Sequence, residues 1–286
     1  MSASLGFRER RYSAQDGLSL YFRDYGDPDS PHAPALCLTG LTRNSQDFHE
    51  LALRLARERR VLAPDYRGRG RSARDPDWRN YQPQVYLNDI LHLLALANVE
   101  RVIVIGTSLG GLLAMGLAAL QPTALAGVVL NDVGPDIAPD GLSRILAYIS
   151  QDRPQPDWAA ATAFLKTAMP SLSAVDDPAR WQRLAEGTFR EESDGLLHFD
   201  WDVALARPLR LRNRLPDLWP LFRALRNVPT LAFRGAISDV LTLETFERMG
   251  RENPGLVRVT VPGVGHAPGL DEPVSQEAMN AFLARL

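Results

Sequence analysis

Val102-Ile103-Val104-Ile105-Gly106-Thr107-Ser108-Leu109-Gly110-Gly111, the segment 102–111, decides how the chain is read. Val102 to Ile105 is an apolar run of strand length, and residues 112–120 are almost all small or aliphatic, as suits a buried helix. Between them Gly-x-Ser-x-Gly places Ser108 on a cramped strand-to-helix turn, where the residues two before and two after it must lack bulk. The N-terminus of the following helix then lies beneath the hydroxyl and favours negative charge there. In this context the motif reads as a nucleophile elbow, with Ser108 as the nucleophile.

The same segment raises the question of a membrane. Val102 to Leu130 holds no charged residue, a length that suggests a span. Gly106, Gly110, Gly111, Gln121 and Pro122 interrupt it. Strand, turn, buried helix and second strand (Gly127 to Leu130) fit the centre of a parallel sheet covered on both faces.

Outward from this centre, short apolar runs alternate with helix-period segments, the pattern of a mainly parallel sheet with crossover helices. Leu18 to Asp24, Ala35 to Thr39, Val61 to Ala63, Val228 to Phe233 and Leu256 to Val261 are the other expected strands. Phe48, Leu51, Ala52 and Leu55 share one face of a helix that Asn44, Ser45 or Asp47 caps. Leu87, Ile90, Leu91 and Leu94 mark a second helix, and Met279, Phe282, Leu283 and Leu286 a terminal one. After Gly134-Pro135 the strand pattern stops, and residues 137–215 are rich in Pro, Trp, Arg and Asp. Trp158 to Met169 and Pro178 to Glu186 read as helices. This predicts a core of residues 1–136 and 216–286 with a helical cap, 137–215, inserted into it. Trp158, Phe164, Trp181, Phe199 and Trp201 are available to line a pocket there, although aromatics at such spacing more often pack.

Composition bounds the partners. The 286 residues include 32 basic and 34 acidic ones, a formal net charge of −2. That balance offers no electrostatic reason to expect nucleic acid or an anionic membrane. Cys37 is the only cysteine, which excludes an intramolecular disulfide and a thiolate metal cluster. The segment from Met1 to Arg8 lacks the apolar core of a signal peptide, so a cytoplasmic location is expected. The apolar faces of the terminal helix and the cap do not set an oligomeric state.

A serine hydroxyl needs a base. Of the five histidines, His92 lies within a Leu-rich helix, His32 and His49 have no supporting motif, and His198 sits in the cap. His266, in Pro262-Gly263-Val264-Gly265-His266-Ala267-Pro268, follows the last strand and so stands at the carboxyl edge of the sheet, where open α/β folds build their sites. The base in turn needs a carboxylate. Asp239 follows the strand ending at Phe233 and is the first choice; Asp132, just after the strand ending at Leu130, is its rival. Asp271 and Glu272 read as caps of the terminal helix. The backbone amides of Leu109, next to the nucleophile, and Leu41, in the turn after Ala35 to Thr39, are the expected oxyanion donors.

With these residues assembled, the chain resembles the α/β-hydrolase fold superfamily over nearly its full length, in the small cytoplasmic form with a helical cap. Asp65-Tyr66-Arg67-Gly68-Arg69-Gly70-Arg71-Ser72 resembles the family's Asp-x-Arg-Gly-x-Gly-x-Ser loop, which serves structure. Thr39-Gly40 replaces the His-Gly of many relatives at the oxyanion turn. The order Ser108, Asp239, His266 matches the family's order, although some members place the acid one strand earlier, at the position of Asp132. The resemblance implies cofactor-free hydrolysis of a small-molecule ester, lactone or thioester through an acyl-enzyme, with no metal. Ser108 at the elbow argues against the haloalkane dehalogenase and epoxide hydrolase branches, which use aspartate there. Two further readings follow from the family: hydrolysis of a C–C bond in a vinylogous diketone, with Arg43 and Asn44 binding a substrate carboxylate, and a small-molecule receptor that keeps the triad without turnover.

Overall fold

The computed structural model describes residues 6–169, 177–211 and 216–286. Eight strands form one sheet: β1 (Arg8–Ser13), β2 (Ser19–Tyr25), β3 (Ala35–Leu38), β4 (Val61–Asp65), β5 (Val102–Thr107), β6 (Leu125–Asn131), β9 (Thr230–Gly235) and β10 (Val257–Val261). Their order is β1-β2-β4-β3-β5-β6-β9-β10. β2 runs antiparallel to both β1 and β4, and all the other pairs are parallel. The mostly parallel sheet expected from the alternation of apolar runs and helices is borne out.

Period-two alternation sends successive side chains to opposite faces. Val104, Val128, Leu130 and Ala232 pack with α2 (Pro83–Leu96) and α3 (Leu109–Leu120), whereas Ile103, Ile105, Val129 and Leu231 pack with α1 (His49–Leu55) and α10 (Pro273–Leu283). Both faces of β5 and β6 are therefore buried, which is why these two strands carry no charge. The run from Val102 to Leu130 divides into β5, α3 and β6, and no helix of the described residues is long and apolar enough to cross a membrane.

The expected helix faces also hold. Phe48, Leu51, Ala52 and Leu55 are buried, and the Asn44 side chain accepts from the Gln46 amide at the start of the preceding 3-10 turn. On α10, Met279, Phe282 and Leu283 are buried while Leu286 remains 40% exposed beyond the helix end. Cys37 is fully buried, and burial pushes its thiol well above the ordinary range, as for a small apolar residue. β1 escaped the sequence analysis because Arg-Glu-Arg-Arg hides its alternation; charges of this kind suit the edge strand that it is.

Between β6 and β9 the chain forms α4 (Pro139–Ile149), α5 (Trp158–Ala168), α6 (Pro178–Glu186) and α7 (Ala206–Arg210). The insertion is not wholly helical: β7 (Phe189–Glu191) and β8 (Leu197–Phe199) form an antiparallel hairpin. The expected boundary at residue 215 lies outside the described residues, as does the start of the chain through residue 5. The short helix α8 (Trp219–Arg223) and α9 (Leu243–Glu252) complete the fold. Phe199 and Trp201 stack at 4.0 Å, with Tyr148 tilted against both, so these aromatics form the insertion's own core.

Candidate active site

Ser108 has φ +52° and ψ −115°, a conformation that L-residues avoid unless the surroundings impose it. The glycines around it show what imposes it. A Cβ at Gly106 would come within 2.4 Å of the Gly110 backbone, and one at Gly110 within 2.0 Å of the Leu38 carbonyl oxygen. Only bare backbone lets β5 turn into α3 this tightly. The Ser108 amide still donates to the Asn131 carbonyl at 3.0 Å, so the sheet ladder continues through the elbow.

His266 lies in the loop between β10 and α10. Its Nε2 is 3.0 Å from Ser108 Oγ, and its Nδ1 is 2.7 Å from Asp132 Oδ2. This network fits the tautomer in which Nδ1–H donates to the carboxylate and Nε2 accepts from the serine hydroxyl. The loop is tied to the sheet, because the Asn131 side-chain amide donates to the Pro268 carbonyl at 2.9 Å and to Thr107 Oγ1 at 3.0 Å.

The carboxylate bonded to His266 is not the first choice but its rival, Asp132. Asp132 is fully buried and has φ +55°. Besides His266 it accepts from the Gly235 amide at 2.7 Å and from the Ser238 hydroxyl at 2.6 Å. Asp239 instead forms a two-point ion pair with Arg144 of α4, at 2.6 and 2.8 Å, and does not bond to His266. Both positions lie at the carboxyl edge of the sheet, and their partners separate them: Asp132 is turned onto His266, Gly235 and Ser238, and Asp239 onto Arg144. Burial alone would raise the Asp239 carboxyl, but the Arg144 guanidinium outweighs it and holds the group below the ordinary carboxylate range.

Leu41 lines the same cavity as Ser108, and Leu109 follows the serine in the chain. Leu109 is the first residue of α3, so its amide has no intrahelical acceptor, and the Leu41 amide donates to no protein acceptor among the described residues. The turn that carries Leu41 is clamped from behind. Arg69, 1% exposed, donates through Nε to the Leu41 carbonyl and lies over the rings of Tyr66 and Tyr86. Tyr66 donates to the Thr39 carbonyl at 3.2 Å, and Thr39 Oγ1 donates to the Arg43 carbonyl at 3.1 Å. Arg67, equally buried, is held by Asp16, Asp75 and Asp89. The basic loop 65–72 is therefore buried framework, as the family resemblance implied, with only Arg71 turned outward.

Arg43 and Asn44 are committed to protein partners. Arg43 pairs with Asp47 and donates to Thr188 Oγ1; the Asn44 side chain donates to the Gly187 carbonyl and to Asp200 Oδ2. Both side chains are thus engaged by protein partners, and neither stands free for the substrate carboxylate of the diketone reading. His198 is likewise occupied, between Asp152 and Asp194.

Ser108 and His266 open into a cavity of about 450 Å³, roofed by Ile145, Tyr148, Ile149, Leu165 and Leu184 of the insertion. None of Trp158, Phe164, Trp181, Phe199 and Trp201 is among its lining residues. The walls from α4, α5 and α6 instead combine Ile145, Tyr148, Ile149, Leu165 and Leu184 with the charged Arg144, Arg180, Arg183 and Glu186, none of which carried a distinguishing sequence signal.

Sheet order, elbow and the Ser108–His266–Asp132 contacts define a class. The chain belongs to the alpha/beta hydrolase family, whose profile matches residues 35–278. It is similar to a 3-hydroxybutyrate-oligomer hydrolase of Cupriavidus necator, 36% identical over 263 residues that make up 89% of each chain. It is also similar to a 2-(acetamidomethylene)succinate hydrolase of Mesorhizobium japonicum, 30% identical over 229 residues and 79% of each chain. Among solved structures, an alpha/beta hydrolase from Novosphingobium aromaticivorans superposes with a TM-score of 0.93 at 43% identity, covering 98% of this chain and 99% of that one. Family and relatives together support hydrolase activity.

Proposed function

We propose that this chain is a cofactor-free serine hydrolase that cleaves a small carboxylic ester, lactone or thioester through an acyl-enzyme. The observation that carries the reading is the continuous path from Ser108 Oγ through His266 to a buried carboxylate, at 3.0 and 2.7 Å. His266 Nε2 takes the hydroxyl proton as Ser108 Oγ attacks the carbonyl carbon. The charge that develops on the carbonyl oxygen is met by the Leu41 and Leu109 amides. As the tetrahedral intermediate collapses, His266 gives its proton to the leaving alcohol or thiol. Water then attacks the acyl-enzyme, His266 takes its proton, and the acid leaves. Asp132 holds the ring and offsets the imidazolium charge throughout, without itself taking the proton. The insertion between β6 and β9 acts as the cap that covers the acyl site.

The test is labelling with a fluorophosphonate, which reacts with an activated serine. The wild-type protein takes up one label and Ser108→Ala takes up none. Equal labelling of the two proteins overturns the assignment. Multiple turnovers with excess ester separate an enzyme from a receptor, which completes at most one slow cycle.

A further inference from the structure

The Arg144–Asp239 pair remains without a part in the chemistry, yet it lies at the same cavity. α4 presents Arg144, Ile145, Tyr148 and Ile149 to the space into which Ser108 and His266 open. Its N-terminal turn is docked on the loop after β9: the Ala138 amide donates to the Val240 carbonyl at 3.1 Å, and Gly141 lies so close to the Asp239 carbonyl that a Cβ would approach it to 2.4 Å. One turn further along, Arg144 meets the Asp239 carboxylate through Nε and Nη2. A guanidinium has two edges that match a carboxylate, and Asp239 occupies one. Arg144 Nη1 makes no hydrogen bond among the described residues, and the side chain is 36% exposed. Of the other arginines that line the cavity, Arg43 is committed to Asp47 and Thr188, and Arg180 to Asp271. Overall the described cavity lining carries six arginines against four aspartates and glutamates, an excess that suits an anion.

We infer that Arg144, held in place by Asp239, is the group that recognises a free carboxylate on the substrate, so that the preferred substrates are small esters that carry one. The inference rests on the serine hydrolase reading and adds the substrate class to it. The substrate carboxylate accepts from the Nη1/Nη2 edge, while Asp239 fixes the guanidinium through the other edge and removes the cost of ordering a long side chain on binding. Asp239 is thereby a positioning residue.

The experiment compares 3-(butanoyloxy)butanoate with its primary amide, a neutral isostere with the same scissile ester. Wild-type protein is expected to favour the acid in kcat/KM, on the order of tenfold or more. Arg144→Gln brings the two substrates together, mainly by raising KM for the acid. Arg144→Lys keeps part of the preference, since it retains charge but not the fork. Asp239→Asn also lowers the preference, and serves as the second variant should Arg144→Gln fail to fold by circular dichroism. An acid-to-amide ratio that is the same in wild type, Arg144→Gln and Asp239→Asn overturns the inference while leaving the hydrolase reading intact. Cleavage of neither substrate, together with no fluorophosphonate label on Ser108, overturns both.

Discussion

The Ser238 hydroxyl donates to Asp132 Oδ2 across 2.6 Å, and the same oxygen of Ser238 accepts from the amides of Val240 and Leu241. The loop after β9 thus supports the carboxylate that faces His266 without providing it. Ser238→Ala leaves Asp132 with the Gly235 amide and His266 alone. A hydrogen bond to a charged group contributes about 1.5 to 3 kcal/mol, part of which is expressed when the imidazolium forms. The expected outcome is a fall in kcat of about tenfold with little change in KM, measured on a short-chain p-nitrophenyl ester.

Asp132 and Asp239 are separable by the same assay. Asp132→Asn favours the wrong tautomer of His266 and is expected to lower kcat by about 10³- to 10⁴-fold. The loss in Asp239→Asn on this neutral ester should be at least a hundredfold smaller by the same argument. Comparable losses in the two variants would place Asp239 back in the chemistry.

Arg69 tests whether the oxyanion turn is held by its buried anchor. Arg69→Met keeps much of the volume between Tyr66 and Tyr86 but removes the donor to the Leu41 carbonyl. With the Leu41 amide no longer fixed, kcat is expected to fall on the order of tenfold to a hundredfold, less than the full loss of a donor. KM should change little, because the donor acts on charge that develops only in the transition state.

Asp200 gives the fold a pH dependence of definite sign. Burial raises its carboxyl to about 6, against 3.8 for the free group, despite Arg190 at 3.6 Å and the Asn44 hydrogen bond. Between these values the folded state keeps a proton that the unfolded state has released. The associated stability is present below about pH 4 and is lost as pH rises through about 6, at most about 3 kcal/mol. Asp200→Asn keeps an acceptor for Asn44 and removes the titration. Urea unfolding of both proteins at pH 4.5 and 7.5 should show wild type losing stability relative to the variant at the higher pH. A difference between the two proteins that does not change with pH rules the effect out.

The core strands were legible because burial on both faces leaves only apolar residues, as in Val102 to Ile105, and because the elbow tolerates glycine alone at 106 and 110. Ser108 and His266 followed from position along the chain. The choice between Asp132 and Asp239 did not, since each lies just past a strand and only their contacts with distant residues, His266 for one and Arg144 for the other, separate them. The β7–β8 hairpin, the buried anchor at Arg69 and the placement of Arg144 on Asp239 depend on contacts between distant segments, which local composition does not encode.

Arg43 and Asn44 reach out of the oxyanion turn to Thr188, Gly187 and Asp200 of the insertion. For protein engineering this makes the segment between β6 and β9 a module with a keyed seam. A replacement lid transplanted from a relative must bring acceptors for a guanidinium and a carboxamide, or residues 43 and 44 must be exchanged along with it. A transplant that ignores the seam would disturb catalysis at the carbonyl oxygen before it altered which acyl group is accepted.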